Sequence, residues 1–400
     1  MTQGKFRFTS ALTSSGWQKN VAVAVDQNGM IESVAADAKD GALIPGIAIP
    51  AVPNVHSHAH QRLMVGLAER AGPGADSFWT WREAMYGFAL KLSPDDLEAV
   101  AAQAYVEMLK AGFSCVGEFQ YLHHQPDGSA YDEPAEMSLR CISAADEAGI
   151  AITMLPTLYN YAGFGGQAPT AGQRRFVNGA DRFLEIYETL KAVCGASPLR
   201  RLGISPHSLR AVTPELLKTV LDGIDDDVRV HIHVAEQSKE VDDCLAWCGK
   251  RPVEFLLDQF DVSGRWCTIH ATHMTADETQ RLAKSGAIAG LCPTTEANLG
   301  DGIFTADSFI KLGGAIAIGS DSQITISPAE DLRMLEYSQR LRDRTRNALA
   351  SGAGASTGRC LFDVVLKGGA SCLDSSMGGI AVGMRCDIAV LDNEHAVMLG

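Results

Sequence analysis

Short apolar runs alternate along most of the chain with longer segments in which apolar residues recur every three or four positions. A short apolar run bounded by turn signals is typical of a buried strand, and the longer segments are typical of amphipathic helices. Strands that alternate with helices in this way predict an α/β fold, and eight repeats favour a closed (β/α)8 barrel of the TIM type. The eight runs are residues 46–52, 113–119, 150–159, 201–207, 228–236, 265–273, 287–293 and 315–321.

Helix boundaries are marked clearly in the segments between the runs. Residues 94–111 carry apolar positions at helical spacing, follow the pair Ser93-Pro94 and stop at Gly112. Serine before a helix caps its first turn, proline fits the first helical position, and glycine is common just after the last turn. The pattern therefore predicts a helix over 94–111 that follows the first run and precedes the second.

The two ends of the chain depart from this alternation. Near the N-terminus, VAVAVDQNGMIESVAA contains two β-type runs around Gln27-Asn28-Gly29, which is a hairpin signal. Residues 376–392 again read as short strands separated by glycines. We therefore expect a small β-sandwich domain built from residues 1–45 and 376–400, attached to a barrel of residues 46–375.

Composition and charge limit the classes of partner. The chain has 400 residues, with 34 Lys and Arg against 48 Asp and Glu, giving a formal net charge of −14. This balance disfavours nucleic acids and anionic membrane surfaces, and it means that an anionic substrate would need a local cluster of basic residues. No signal-peptide pattern opens the sequence and no apolar run reaches the length of a membrane span, so we expect a cytoplasmic protein without a membrane partner.

Cysteine usage points to buried thiols rather than bridges. The ten cysteines are scattered through apolar segments, as at Cys115, Cys267 and Cys292. In such positions cysteine behaves as a small hydrophobic residue. Cys244 and Cys248 have helical spacing, but no second pair stands at zinc-finger distance, which argues against a structural zinc at that pair.

Histidines and one carboxylate stand at the ends of separate runs. PNVHSHAH at 53–60 places His56 and His58 at alternate positions, His233 lies near the end of the fifth run, and Asp321 closes the eighth. Alternate residues of an extended segment point to one side, and the ends of barrel strands meet at one rim. His-Ser-His alone is a weak signal that suits a polar strand end better, but the combined set indicates a site for a divalent metal, since imidazole and carboxylate are zinc ligands.

Two further polar residues end apolar runs. Glu236 follows His233 by three positions, and His270 stands at the end of the sixth run. Together with the ligand set, these residues resemble the amidohydrolase superfamily, in its single-metal deaminase branch. The resemblance runs along nearly the whole chain. It includes DSFWTWRE at 76–83, HSLRAVTP at 207–214, VHIHVAEQ at 230–237, HATH at 270–273 and TEANLGDGIF at 295–304.

The resemblance implies roles for these residues. It implies that one divalent ion, expected to be Zn²⁺, is held by a set of four ligands. It also implies that His270 is the base that deprotonates water, that Glu236 carries the proton to the leaving nitrogen, and that Asp321 serves in catalysis as well as binding. No lysine occurs in the third or fourth run, where the two-metal branch has a bridging carbamylated lysine, and this favours a single ion. The implied ligands are His56, His58, His233 and Asp321.

The resemblance also implies a substrate. It implies hydrolysis of N-formimino-L-glutamate to N-formyl-L-glutamate and ammonia, a step of histidine degradation, by a protein expected to be a homodimer. The two carboxylates of this small anionic amino acid need cationic partners, and the planar fork of arginine suits them. The residues implied to bind the substrate are Gln61, Arg82, Tyr121, His207 and Arg210.

Two other functions use the same residues. A deaminase of guanine, cytosine or a related heteroaromatic amine would use the same metal ligands and acid/base pair, with less need of two arginines. A metal-binding scaffold without activity would not need Glu236 and His270. Without the resemblance, Arg82 is more typical of a solvated or salt-bridged residue than of a substrate ligand.

The sequence departs from the family pattern at some positions. The pattern has phenylalanine where His60 stands and histidine where Gln323 stands, and these departures bear on the pocket wall and thus on the substrate. Family members also continue past the equivalent of residue 400. We therefore expect the C-terminal part of the small domain to be shortened or incomplete.

Overall fold

Thirteen strands and twelve α-helices make up the part of the chain that the computed structural model describes, namely residues 3–70, 72, 74–373 and 376–398. In chain order, the strands are β1 Gly4–Thr13, β2 Gly16–Val25, β3 Ile31–Ala35, β4 Ala42–Pro50, β5 Val52–Ser57, β6 Phe113–Gln120, β7 Ala151–Leu158, β8 Arg200–Pro206, β9 Arg229–Val234, β10 Trp266–His270, β11 Ile288–Leu291, β12 Ala315–Ile318 and β13 Ile388–Leu391. The helices are α1 Phe78–Ala89, α2 Pro94–Ala111, α3 Glu136–Ala148, α4 Ala180–Gly195, α5 Pro214–Asp222, α6 Ser238–Cys248, α7 Pro252–Gln259, α8 Ala276–Ser285, α9 Pro293–Leu299, α10 Ala306–Lys311, α11 Pro328–Asp343 and α12 Thr357–Cys372. Short 3-10 turns cover Ala59–Met64, Ala171–Gln173 and Ala396–Met398.

Strands β5 to β12 form one eight-stranded parallel sheet in the order of the chain. The first and last of these strands approach each other beyond their ends, where Asp321 N donates to His56 O at 2.9 Å and His58 N donates to Asp321 O at 3.1 Å. Gly319 permits this approach, because a Cβ there would lie 2.7 Å from the backbone nitrogen of His56. The sheet is thus the expected (β/α)8 barrel, nearly closed, with the helices around it.

Seven of the eight predicted runs become the strands β6 to β12, but the prediction for the first run is wrong. Residues 46–50 belong to β4 of the small sheet, and the first barrel strand is Val52–Ser57. The physical reason lies in burial. Residues 46–50 alternate between fully and partly buried positions, as in a sheet with one covered face, whereas every residue of β5 is buried, including its asparagine, histidine and serine. The polar residues of β5 interrupt its hydrophobic pattern, so the sequence did not indicate a buried strand there.

The termini come together in one small β domain. Its sheet has the strand order β13-β4-β1-β2-β3, with β13 antiparallel to β4. The predicted hairpin is confirmed between β2 and β3, where Asp26 Oδ1 accepts from the backbone of Asn28 and Met30 at 2.8 and 2.7 Å. In the described part of the chain this domain is a single sheet rather than the expected sandwich, and it extends to Pro50 rather than to residue 45. The expected boundary at 375 falls on residues outside the described ranges.

Helix α2 begins at Pro94 and ends at Ala111, as predicted. Ser93 Oγ accepts from Asp96 N at 3.1 Å, and Gly112 adopts the left-handed conformation with φ 100°. The same N-cap arrangement occurs at Thr213 and Ser327. Among the described residues, no helix combines the length and the hydrophobicity that crossing a bilayer requires.

Candidate active site

Four side chains from three parts of the barrel converge at its C-terminal rim, and we call them the rim cluster: His56, His58, His233 and Asp321. His56 Nε2 lies 2.9 Å from His233 Nε2 and 3.4 Å from Asp321 Oδ1. His58 Nε2 lies 3.5 Å from the same carboxylate oxygen. Donors bound at about 2.0–2.2 Å to one zinc ion stand roughly 3–3.5 Å apart, so this spacing matches a shared ion.

Backbone carbonyls orient two of the imidazoles. His58 Nδ1 donates to Phe119 O at 2.8 Å, and His233 Nδ1 donates to His207 O at 2.9 Å. Because a carbonyl can only accept, each Nδ1 carries the proton and each Nε2 presents its lone pair to the centre of the cluster. The residues present therefore fit a divalent metal ion of the zinc class.

Electrostatics favour the protonation states that a metal needs. Burial lowers the pKa of His56 to about 3, and burial likewise lowers the pKa values of His58 and His233, which leaves all three imidazoles neutral. Burial alone would raise the pKa of Asp321, but its hydrogen bond with His56 and the neighbouring histidines hold that pKa well below the usual range. Three neutral imidazoles and one carboxylate are ready to coordinate a cation.

Left-handed backbone conformations at the ends of the barrel strands help to orient several side chains of this site. Ala235, His270 and Asp321 have positive φ values of 51°, 68° and 49°, a conformation that non-glycine residues adopt rarely. Each lies just beyond or at the end of a barrel strand. Strained backbone of this kind collects at functional sites, where the surrounding structure holds it in place.

Glu236 and His270 face each other beside the rim cluster. His270 Nε2 is 3.8 Å from Glu236 Oε1 and 3.7 Å from Asp321 Oδ2. Burial raises the pKa of Glu236 to about 7. Burial would lower the pKa of His270, but the charges of Glu236 and the other carboxylates around it raise that pKa to about 10. A carboxyl group that titrates near neutrality next to a basic imidazole is suited to proton transfer.

Two buried carboxylates that the sequence analysis missed hold this pair. Glu296 Oε1 accepts from His270 Nδ1 at 3.2 Å and from Cys292 N at 2.9 Å. Glu240 accepts from the backbone nitrogens of Ala235 and Glu236 at 3.1 and 3.2 Å. In the sequence, each of these glutamates is marked only by its position in the first turn of a helix that follows a barrel strand.

A cavity of about 680 Å³ of empty space, counted with its mouth, opens above the rim cluster. Arg210 reaches its wall from the loop after β8 and lies 3.8 Å from Glu236 Oε2. Arg82, on α1, places its guanidinium carbon 4.7 Å above the ring of Trp79. The lining includes nearly all the residues singled out from the sequence, namely His58, Gln61, Arg82, Tyr121, His207, Arg210, His233, Glu236, His270 and Asp321.

Polar atoms around this cavity lack partners within the chain. Among the described residues, Arg82 Nε, Arg210 Nε and Gln61 Oε1 are buried without a hydrogen-bond partner. Such groups cost free energy unless something pairs with them. The cavity is thus lined by two cationic side chains and one amide side chain that each have a buried polar atom left unpaired.

The two positions that depart from the family pattern are also buried in this region. His60 Nε2 lies 2.8 Å from Tyr121 Oη, which also accepts from Gln61 Nε2 at 2.9 Å. Gln323 Nε2 donates to Asp321 O at 2.8 Å and to Ser57 Oγ at 2.9 Å. His60 therefore supports the cavity wall, and Gln323 supports the turn that carries Asp321.

Comparison with known proteins places this geometry in context. The model of the Amidohydrolase family matches residues 43–398. The chain is 52% identical over 384 residues to the formimidoylglutamate deiminase of Pseudomonas aeruginosa, covering 96% of this chain and 84% of that protein. An amidohydrolase crystal structure from Brucella melitensis superposes with a TM-score of 0.94 at 49% identity, covering 98% of this chain and 88% of the other. A zinc-bound adenosine deaminase from Xanthomonas campestris shares the fold, with a TM-score of 0.84 at 20% identity and coverage of 100% and 86%.

Proposed function

The chain belongs to the amidohydrolase family, and from that premise we propose that it is a zinc-dependent hydrolase that converts N-formimino-L-glutamate to N-formyl-L-glutamate and ammonia. The reaction cleaves a linear amidine C–N bond. The relative at 52% identity, whose name states this activity, supports the proposal over nearly the whole chain.

One structural observation carries the choice of substrate. The partnerless nitrogens Arg82 Nε and Arg210 Nε line the same cavity as the rim cluster. A substrate with two carboxylates satisfies both arginines through charge-assisted hydrogen bonds. A neutral nucleobase would give no anionic partner to Arg82, which forms no ion pair among the described residues, whereas Arg210 already faces Glu236 and Glu240 at 3.8 and 3.9 Å.

The rim cluster supplies the metal site of the proposed enzyme. A divalent ion bound there would supply the Lewis acidity that lets water act as a nucleophile near neutral pH. His58 and His233 keep fixed tautomers through their carbonyl partners, and Gln323 holds the backbone of Asp321. These contacts fix the donor geometry before any ion arrives, which limits the reorganisation that binding requires.

Proton transfer is assigned to Glu236 and His270. Water adds to the formimino carbon, and both hydrogens of that water end on the nitrogen that leaves as ammonia. His270 accepts one of them in its neutral form, which a cation in the rim cluster would favour, because that cation opposes the carboxylates that raise the pKa of His270 to about 10. Glu236, whose pKa lies near neutrality through burial, delivers a proton to the departing nitrogen.

The remaining polar side chains orient the substrate. Gln61 lines the cavity, and its Oε1 has no hydrogen-bond partner among the described residues, which suits this side chain to accept from an N–H of the formimino group. Its amide is held by Tyr121 Oη, so the acceptor points in a fixed direction. His207 also lines the cavity, and burial lowers its pKa well below the usual range. Its imidazole is therefore neutral, with one nitrogen that donates a hydrogen bond and one that accepts.

The decisive assay measures ammonia release by the purified, zinc-reconstituted protein. We expect turnover of N-formimino-L-glutamate and none of guanine, cytosine or adenosine. Turnover of a nucleobase without turnover of the formimino amino acid would reject the proposed substrate and leave the hydrolytic chemistry intact. No ammonia from any of these compounds, in protein that holds its metal, would favour a scaffold and reject the enzyme.

A further inference from the structure

A second group of metal-binding side chains lies one layer deeper in the barrel, and we call it the floor cluster: His231, Cys267 and Cys372. His231 precedes His233 by two residues on β9, so both imidazoles point to the barrel interior. Cys267 is the register partner of His231 on β10. Cys372 is the last residue of α12.

The donor atoms of the floor cluster are close together and fully enclosed. Cys372 Sγ lies 3.3 Å from a ring nitrogen of His231, Nε2, and the three donor atoms all lie within 4.8 Å of one another. The exposed fraction of each of the three residues is 1% or less. Gly290 makes room for one sulfur, because a Cβ at that position would come within 2.8 Å of Cys267 Sγ.

The surroundings of the floor cluster determine which metal ions would suit it. The walls are apolar side chains such as Val55, Ile269 and Ile288. An enclosed apolar site disfavours net charge, and two thiolates neutralise one dication completely. Two sulfurs and one imidazole are soft to borderline donors, which suit the zinc class and not calcium or magnesium.

Simple packing of thiols accounts less well for the same geometry. The other ring nitrogen of His231, Nδ1, is buried without a partner among the described residues, so the imidazole is poorly satisfied as a plain core side chain. Nδ1 stays without a partner in either case, but at Nε2 a bond to a cation is much stronger than a weak hydrogen bond from the thiol of Cys372.

We propose that His231, Cys267 and Cys372 form a second metal site, which takes a thiophilic divalent ion of the zinc class and joins the end of α12 to β9 and β10. On binding, two metal–sulfur bonds form and the two thiol protons are released to solvent. The three side chains supply three ligands, two sulfurs and one nitrogen. Because no substrate can reach this enclosed position, the ion is structural rather than catalytic.

The test compares metal content and absorption for the full chain. Protein purified under reducing conditions is stripped of metal and reconstituted with Zn²⁺ alone or with Co²⁺ alone. We expect two zinc ions per chain in the wild type, and in the cobalt form a near-ultraviolet charge-transfer band that only thiolate ligands produce. The rim cluster contains no sulfur, so this band reports on the floor cluster whether or not the proposed reaction is correct.

Cysteine variants assign the second ion to its ligands. Cys372→Ser and Cys267→Ser should each lose one zinc ion and the charge-transfer band while keeping the ion of the rim cluster. Cys141→Ser is the matched control, because Cys141 is equally buried but lies on α3, away from the floor cluster. The control should keep both ions and the band.

The wild type alone can overturn the proposal, even if a variant fails to fold. One zinc ion per chain and no charge-transfer band in the cobalt form would show that the floor cluster is only packed thiols. A band that survives in both Cys267→Ser and Cys372→Ser would place the sulfur ligands elsewhere and also reject the assignment.

Discussion

The rim cluster and the floor cluster occupy successive layers of one barrel, and they differ in their donor atoms, in their access to the cavity and in the conformation of their backbone. The rim donors are nitrogen and oxygen atoms beside a cavity, and several of the groups around them sit on left-handed backbone. The floor donors are two sulfurs and one imidazole on regular strand and helix, without access to that cavity. His233 and His231 are only two residues apart on β9, but His233 lies beside imidazoles and a carboxylate at the cavity, whereas His231 lies beside two thiols in the interior.

The comparison shows where this fold accepts strain. Left-handed conformation costs about 1 kcal/mol or more at a residue with a side chain. The barrel accepts that cost at the rim, where it turns Asp321 toward His56 and His58. In the floor layer, ordinary strand geometry already brings Cys267 beside His231. The following variants test this difference, beginning with the largest expected effect.

Glu236→Gln should remove proton transfer at the rim while the metal ligands stay intact. We expect kcat to fall about 10³-fold, the range that a positioned acid or base contributes, with metal content unchanged. Steady-state ammonia release and metal analysis measure both quantities. Glu215→Gln, at an exposed position of α5, is the control and should keep the wild-type rate. Near wild-type turnover by Glu236→Gln would contradict its assigned role.

Arg82→Ala should weaken substrate binding at the rim. We expect kcat/KM to fall about 10²-fold, chiefly through KM, because a buried charge-assisted contact is lost. Arg82→Lys should recover only part of the loss, since an ammonium cannot pair both carboxylate oxygens. Arg333→Ala, on the exposed face of α11, should have no effect. Unchanged kinetics in both Arg82→Ala and Arg210→Ala would exclude a dicarboxylate substrate.

Glu296→Gln tests whether catalysis depends on the carboxylate that is hydrogen-bonded to His270 Nδ1. We expect kcat to fall about 10-fold without a change in KM or metal content, the size typical of a group that orients a reactive histidine. Glutamine keeps an acceptor for Cys292 N, so the helix start should survive. Equal rates in the variant and the wild type would mean that His270 is held by other contacts.

His60→Phe should have the smallest effect. His60 contacts Tyr121 and none of the rim cluster through a hydrogen bond, so we expect metal content to stay at the wild-type level and KM to rise only slightly. Metal analysis and steady-state kinetics check this expectation. Loss of the ion in His60→Phe would show that the third histidine of PNVHSHAH is a ligand.

The rim could be predicted from the sequence because catalytic residues of a barrel stand where strands end. His233, His270 and Asp321 each lie at or near the end of an apolar run, and the structure brings them together with His56 and His58. Their roles in binding and catalysis stay predictions until the variants are measured. The contact of Glu296 with His270 could not be predicted, because it joins two elements that lie 26 positions apart. Glu240 was missed although its partners, the backbone nitrogens of Ala235 and Glu236, lie only five and four positions before it.

The errors have a common physical cause. The first barrel strand was missed because β5 buries Asn54, His56 and Ser57, and such residues do not read as an interior strand. The sequence also gives no sign that Cys267 and Cys372 lie close together, because they stand 105 positions apart. In both cases the fold places polar or sulfur-bearing side chains inside the barrel, where local hydrophobicity is a poor guide.

The most direct test of the rim cluster is anomalous diffraction at the zinc edge from crystals of the zinc-reconstituted protein. We predict a peak bonded to the three imidazoles and the carboxylate, about 2.0–2.2 Å from His56 Nε2, His58 Nε2 and His233 Nε2. Active protein whose crystals show no zinc among these four side chains would contradict the account.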